Sequence, residues 1–167
     1  MIDTCDILDR GTHLVVVNRN PARRNALTQG YYAGLRRALI QAAHESRIGA
    51  VVLAGAEGFF CAGGDLNLLM TAPQMGADER RGHIEDLQAL IGQVMDCPRP
   101  VIAAVEGGAA GAGFSLAMAC DLIVADEDAR FTAAYVNAGL IPDGGLTGSL
   151  MAALPPQLAA ELCLGGQ

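Results

Sequence analysis

Four glycines fall within seven residues, Gly107, Gly108, Gly111 and Gly113, inside the stretch VIAAVEGGAAGAGFSLAMACD that runs from Val101 to Asp121. A glycine inside regular structure costs roughly 0.5–1 kcal/mol relative to alanine, so such a cluster marks backbone that bends sharply or lies against something. A wholly apolar run of strand length, VIAAV, precedes it, and a helical pattern follows. A second turn of this kind comes earlier: FFCAGGDL (59–66) sets Ala62, Gly63 and Gly64 between an apolar segment and a helix that Asp65 can cap. A helix N-terminus carries unpaired N–H donors and partial positive charge, so two such ends that converge make a place for developing negative charge. Tight packing of backbone on backbone is the plainer reading of any one of these turns.

The rest of the chain repeats the order of strand, turn and helix. Apolar runs of strand length recur at 13–19 (HLVVVNR), 50–55 (AVVLAG), 101–105 (VIAAV) and 121–126 (DLIVAD). Helical patterns lie at 27–46, 65–70 and 83–96, the last with Ile84, Leu87, Ile91 and Met95 on one face, and two further helices fit 146–154 and 157–164 on either side of Pro155 and Pro156. Pro98 and Pro100 end the helix before VIAAV. The alternation predicts an α/β fold. The segment 71–82, TAPQMGADERRG, mixes Pro, Gly and charge and reads as a mobile surface loop.

Composition removes several classes of function. A chain of 167 residues fits one domain, 1–167, and a domain of that size buries roughly 70% of the surface its unfolded chain exposes. No apolar run reaches the roughly 18–20 residues of a membrane helix, and MIDTCDILDR, with three aspartates, lacks the basic start of a secretory signal. The expectation is a soluble, cytoplasmic protein with no membrane partner. Cys5, Cys61, Cys97, Cys120 and Cys163 stand singly, without a C-x-x-C pair or His at ligand spacing, and read as small buried hydrophobes rather than disulfide or metal ligands. A net charge of −7 and the absence of Lys argue against nucleic acid and against a Walker-type phosphate loop.

Two catalytic motifs are imitated and fail. GAGFSL places Leu116 where the third glycine of a dinucleotide-binding G-x-G-x-x-G belongs, and the helix after it is too short for a usual crossover. GFSLA around Ser115 imitates a hydrolase nucleophile elbow, whose order requires a His after the Ser, yet His13, His44 and His83 all precede it.

Four segments in order, NPARRNALT (20–28), FFCAGGDL (59–66), the stretch from Pro100 to Phe131 and AGLIPDGG (138–145), resemble the crotonase superfamily, the enoyl-CoA hydratases and isomerases. The resemblance covers nearly the whole chain. It implies a spiral of repeated β-β-α units, assembly as a homotrimer or dimer of trimers, and action on acyl-CoA thioesters, with no metal and no cofactor beyond the coenzyme A of the substrate. The family continues into C-terminal helices that help close the acyl pocket and build the trimer. Their absence from this sequence implies an incomplete chain or a degenerate paralogue.

Carried over by motif, the resemblance puts the oxyanion hole on the backbone N–H groups of Gly64 and Ala112. The substrate-binding positions become Arg23, Arg24, Ala26, Ala62, Asp65, Leu66, Gly111, Tyr135 and Pro142. The arginines can hold phosphates through paired hydrogen bonds, although a solvated pair is an equally plain reading. Ser115 and Tyr135 stand where the hydratases carry two glutamates, so ordinary hydration is in doubt. Asp143 instead occupies the place of the catalytic aspartate in isomerases that resemble ring-1,2-epoxyphenylacetyl-CoA isomerase, while Pro-Asp-Gly is also ordinary turn chemistry. Tyr135 is expected as pocket wall, Asp65 as a helix cap and Ser115 as a helix residue. The reading that follows is a double-bond isomerase with one Asp base. The alternatives are an atypical hydratase and a paralogue that only binds CoA thioesters.

Overall fold

The computed structural model describes residues 4–167, apart from the side chains of Leu69 and Ala72. A hairpin opens the chain: β1 (Cys5–Asp9) and β2 (His13–Asn18) pair antiparallel around a turn in which Gly11 takes φ +82°. Three parallel strands extend the sheet, β3 (Ala50–Gly55), β4 (Val101–Val105) and β6 (Leu122–Ala125), in the order β1-β2-β3-β4-β6. The strands β5 (Gly108–Ala110) and β7 (Arg130–Thr132) pair separately, and an isolated bridge joins Cys61 to Ala109 beside them. Each winding of the chain thus gives one segment to the main sheet and one to the second layer: β3 then Cys61, β4 then β5, β6 then β7. A helix follows each, which is the expected β-β-α spiral.

The alternation in β2, β3 and β4 sends every second residue into the core, and register aligns these residues across the sheet. Leu14 lies beside Val51 and Val101, and Val16 beside Leu53 and Ala103, all with no exposed surface. Onto these rows packs α1 (Gln29–His44), which buries Tyr31, Leu35, Ala38, Leu39 and Ala42 along one stripe and is capped by Thr28 Oγ1 accepting from the Tyr31 N–H at 3.1 Å. Arg36 pairs with Asp86 at 2.5 Å and ties α1 to α3 (Ala77–Met95). The remaining helices are α2 (Leu66–Thr71), α4 (Ala112–Met118), α5 (Leu146–Ala153) and α6 (Pro156–Gly165). No described helix is long and apolar enough to cross a membrane.

Three expectations are corrected. Residues 71–82 are not a loop: Ala72–Gln74 form a short 3-10 turn and α3 begins at Ala77. Asp78 and Glu79 in its first turn complement the helix dipole, and the arginines that follow are good helix formers, so charge there signals a helix start. The buried stripe of α3 is Leu87, Leu90, Ile91 and Val94, whereas Ile84 and Met95 are 48% and 64% exposed. Cys97 and Cys120 are only half-buried, while Cys5, Cys61 and Cys163 are buried, and none of the five forms a disulfide.

Candidate active site

The two glycine turns are joined by backbone. The Cys61 N–H donates to the Gly108 carbonyl at 3.2 Å and the Ala110 N–H to the Cys61 carbonyl at 2.9 Å. Gly63, at φ +100°, lies so close that a Cβ there would sit 2.7 Å from the Ala110 oxygen and 3.3 Å from the Ala112 nitrogen. A Cβ on Gly113 would meet the Cys61 oxygen at 2.4 Å. Glycine at these positions lets the turns touch, and Gly64 and Ala112 become neighbours across the contact. Among the described residues, no group accepts a hydrogen bond from the N–H of Gly64 or of Ala112. The two turns thus each leave one backbone donor without an acceptor.

A long groove passes Gly64. At one end a cavity of about 640 Å³ is lined by Arg23, Arg24, Ala26, Ala62, Gly64, Asp65 and Leu66 together with Asn67, Ala134 and Asn137. A middle depression shares Gly64 and Asp65 with it and adds Tyr32, Leu68 and His83. The far cavity, about 380 Å³, shares Leu68 and His83 with the middle one and is lined by Ile84, Leu140, Ile141, Pro142 and Asp143. The shared residues make the three one continuous surface leading from the arginines to Asp143.

The arginines are partly engaged. Arg23 pairs with Asp65 across the mouth of the first cavity, and Asp65 also caps α2 by accepting from the Asn67 N–H at 2.9 Å. Arg24, in left-handed backbone at φ 47°, stacks its guanidinium 5.7 Å from the Phe59 ring centroid. Asn25 holds this segment: its buried side-chain amide donates to the carbonyls of Ala56 at 2.8 Å and Phe59 at 2.6 Å, which fixes the bend that presents both arginines. A polar residue in the middle of NPARRNALT was the available signal for that role. Gly111 is buried at φ +50° and donates to the Thr132 carbonyl at 3.0 Å, directly before Ala112.

Asp143 is half-buried in the far cavity, and burial raises its carboxyl above the ordinary range, with a hydrogen bond from Tyr135 acting in the opposite direction. Tyr135, expected as pocket wall, is buried behind Asp143 and donates from Oη to Oδ1 at 2.6 Å. Ser115 Oγ lies 2.7 Å from the same phenol oxygen and 2.9 Å from the Asp143 carbonyl oxygen. His83, at the start of the helical pattern 83–96, also reaches the groove, and no motif or spacing in the sequence marks it as a groove residue.

The enoyl-CoA hydratase/isomerase family model matches residues 11–167. The chain is 40% identical over 159 residues to a probable enoyl-CoA hydratase of Mycobacterium tuberculosis, covering 95% of this chain and 60% of that one. It is 36% identical over 141 residues to the 1,2-epoxyphenylacetyl-CoA isomerase of Escherichia coli, covering 84% of this chain and 53% of the relative. The crystal structure of an enoyl-CoA hydratase from Polaromonas sp. JS666 superposes with a TM-score of 0.94 at 43% identity, over 98% of this chain and 63% of that chain. The chain belongs to the enoyl-CoA hydratase/isomerase family, the crotonase superfamily, and spans about 60% of the length of these relatives.

Proposed function

We propose that the protein binds acyl-CoA thioesters and shifts the double bond of an enoyl-CoA, with Asp143 as the single base. The observation that carries this reading is the census of carboxylates. Among the residues lining the groove these are Asp65, held by Arg23, and Asp143, which stands in a mainly apolar cavity. Ser115 and Tyr135, where the hydratases of the family carry glutamates, offer hydroxyls instead. Hydration needs water to be held and its protons moved, whereas isomerisation needs one group that takes a proton and gives it back.

In this reading the thioester oxygen accepts from the N–H groups of Gly64 and Ala112, and the coenzyme extends toward Arg23 and Arg24. Ionised Asp143 removes a proton from carbon 2 of a 3-enoyl-CoA, and the electron pair moves through the carbonyl to give a dienolate. Asp143 then returns the proton to carbon 4, leaving the double bond between carbons 2 and 3. The step is neutral overall and needs no redox partner. Each oxyanion donor is worth about 3–4 kcal/mol in such a transition state.

The test is a comparison of rates on acyl-CoA thioesters. Isomerisation of 3-enoyl-CoA substrates is expected, with hydration of crotonyl-CoA well below about 10 per second, a typical enzymatic turnover. Fast hydration with slow isomerisation would overturn the assignment. Binding of acyl-CoA with neither reaction would instead support a paralogue that only binds.

A further inference from the structure

We infer that Tyr135 is a positioning residue for proton transfer: its phenol, anchored by Ser115, holds Oδ1 of Asp143 and reserves Oδ2 for the substrate. The inference rests on the reading of Asp143 as the base.

The geometry gives the network one direction. An ionised carboxylate only accepts, so the 2.6 Å contact between Tyr135 Oη and Asp143 Oδ1 uses the single phenol proton. The 2.7 Å contact between Ser115 Oγ and Tyr135 Oη then takes the one serine proton, and the Asp143 carbonyl, 2.9 Å from Oγ, competes for it. Ser115 and Tyr135 are 1% and 6% exposed, so water does not compete for either hydroxyl. The hydroxyl pair thus lies against both ends of Asp143: the phenol proton holds the carboxylate, and the serine proton serves the phenol oxygen or the Asp143 carbonyl. Gly144 permits the approach: a Cβ there would lie 2.9 Å from the Ser115 Cβ.

No side chain other than Tyr135 donates to the Asp143 carboxylate among the described residues. The groups that face it are Arg80 and His83 from α3 in the same cavity, Tyr32 from α1, whose phenol Asp143 helps to make less acidic, and Ser115 from α4. A one-sided clamp keeps the carboxyl from rotating, so one oxygen removes the proton and the same oxygen returns it. It also opposes part of the rise that burial causes, favouring the ionised base.

Replacing Tyr135 by Phe keeps the ring and removes the clamp. The Asp143 carboxyl, followed by carbon-13 NMR and assigned by its loss in Asp143→Asn, is expected to titrate at higher pH in Tyr135→Phe than in the parent. The acid limb of the kcat profile for isomerisation should move up with it. On the alkaline plateau kcat should fall about tenfold with KM within about twofold, since the phenol touches the base and not the acyl-CoA. Ser115→Ala, which leaves the phenol in place, should move the titration the same way by less, and serves if the Phe variant does not fold. An active parent whose Asp143 titrates identically in both variants overturns this inference alone. A parent without isomerase activity overturns the reading of Asp143 as the base, and this inference with it.

Discussion

Asp143 shows how one position carries opposing demands. Burial favours its neutral form, yet the proposed reaction needs the anion, and Tyr135 supplies the donor that moves the balance back. The sign of the stability effect follows. Because its folded pKa is raised, the native protein holds a proton between the ordinary carboxylate pKa and the raised value that the unfolded chain has already released, so stability falls as pH climbs through that window. Asp143→Asn keeps the size and the turn and removes the titration. Its thermal midpoint at neutral pH is expected to equal or exceed the parent's, with the difference vanishing in acid; a variant less stable than the parent at neutral pH but as stable as it in acid would show that the anion is a structural partner. Sequence reasoning reached Asp143 only through motif resemblance, since Pro-Asp-Gly is ordinary turn chemistry. It could not reach the Tyr135 and Ser115 clamp, because hydroxyls 20 residues apart along the chain carry no spacing rule.

At the scale of elements, the two glycine turns divide the labour between folding and binding, and paired substitutions separate the two. At Gly63 an alanine would be strained by φ +100° and would press on the Ala110 carbonyl, so Gly63→Ala is expected to cost about 1–3 kcal/mol of stability and to weaken acyl-CoA binding as the turns part. At Gly64 a Cβ meets nothing within 4 Å, so Gly64→Ala should melt like the parent while binding acyl-CoA less tightly, its methyl occupying the place of the thioester. Thermal melts and calorimetry on both variants check this, and equal binding by Gly64→Ala would place the thioester elsewhere. The same glycines explain why β5 was not legible: Gly108 reads as a turn, and only parallel pairing with β7 makes it strand. The hairpin strand β1 was missed for a related reason, since CDILD buries little beyond Cys5 and its aspartates mask the period.

Across the whole molecule, the strands of the main sheet from β2 onward and the helices α1, α5 and α6 lie within a few residues of their sequence-based positions, because long apolar runs and capped amphipathic segments are local signals. The groove is not local. It arises where the spiral brings residues from 23–28, 62–68, 83–84 and 140–143 together, and no period in the sequence encodes that meeting. Its proposed parts are separable: the arginines and the glycine turns bind the thioester, and Asp143 moves the proton. The most direct measurement is therefore single-turnover isomerisation of a 3-enoyl-CoA beside acyl-CoA affinity, in the parent and in Asp143→Asn. The account predicts isomerisation slower by about 10²- to 10⁴-fold in the variant with affinity within about twofold. Isomerisation by Asp143→Asn at the parent's rate would contradict it.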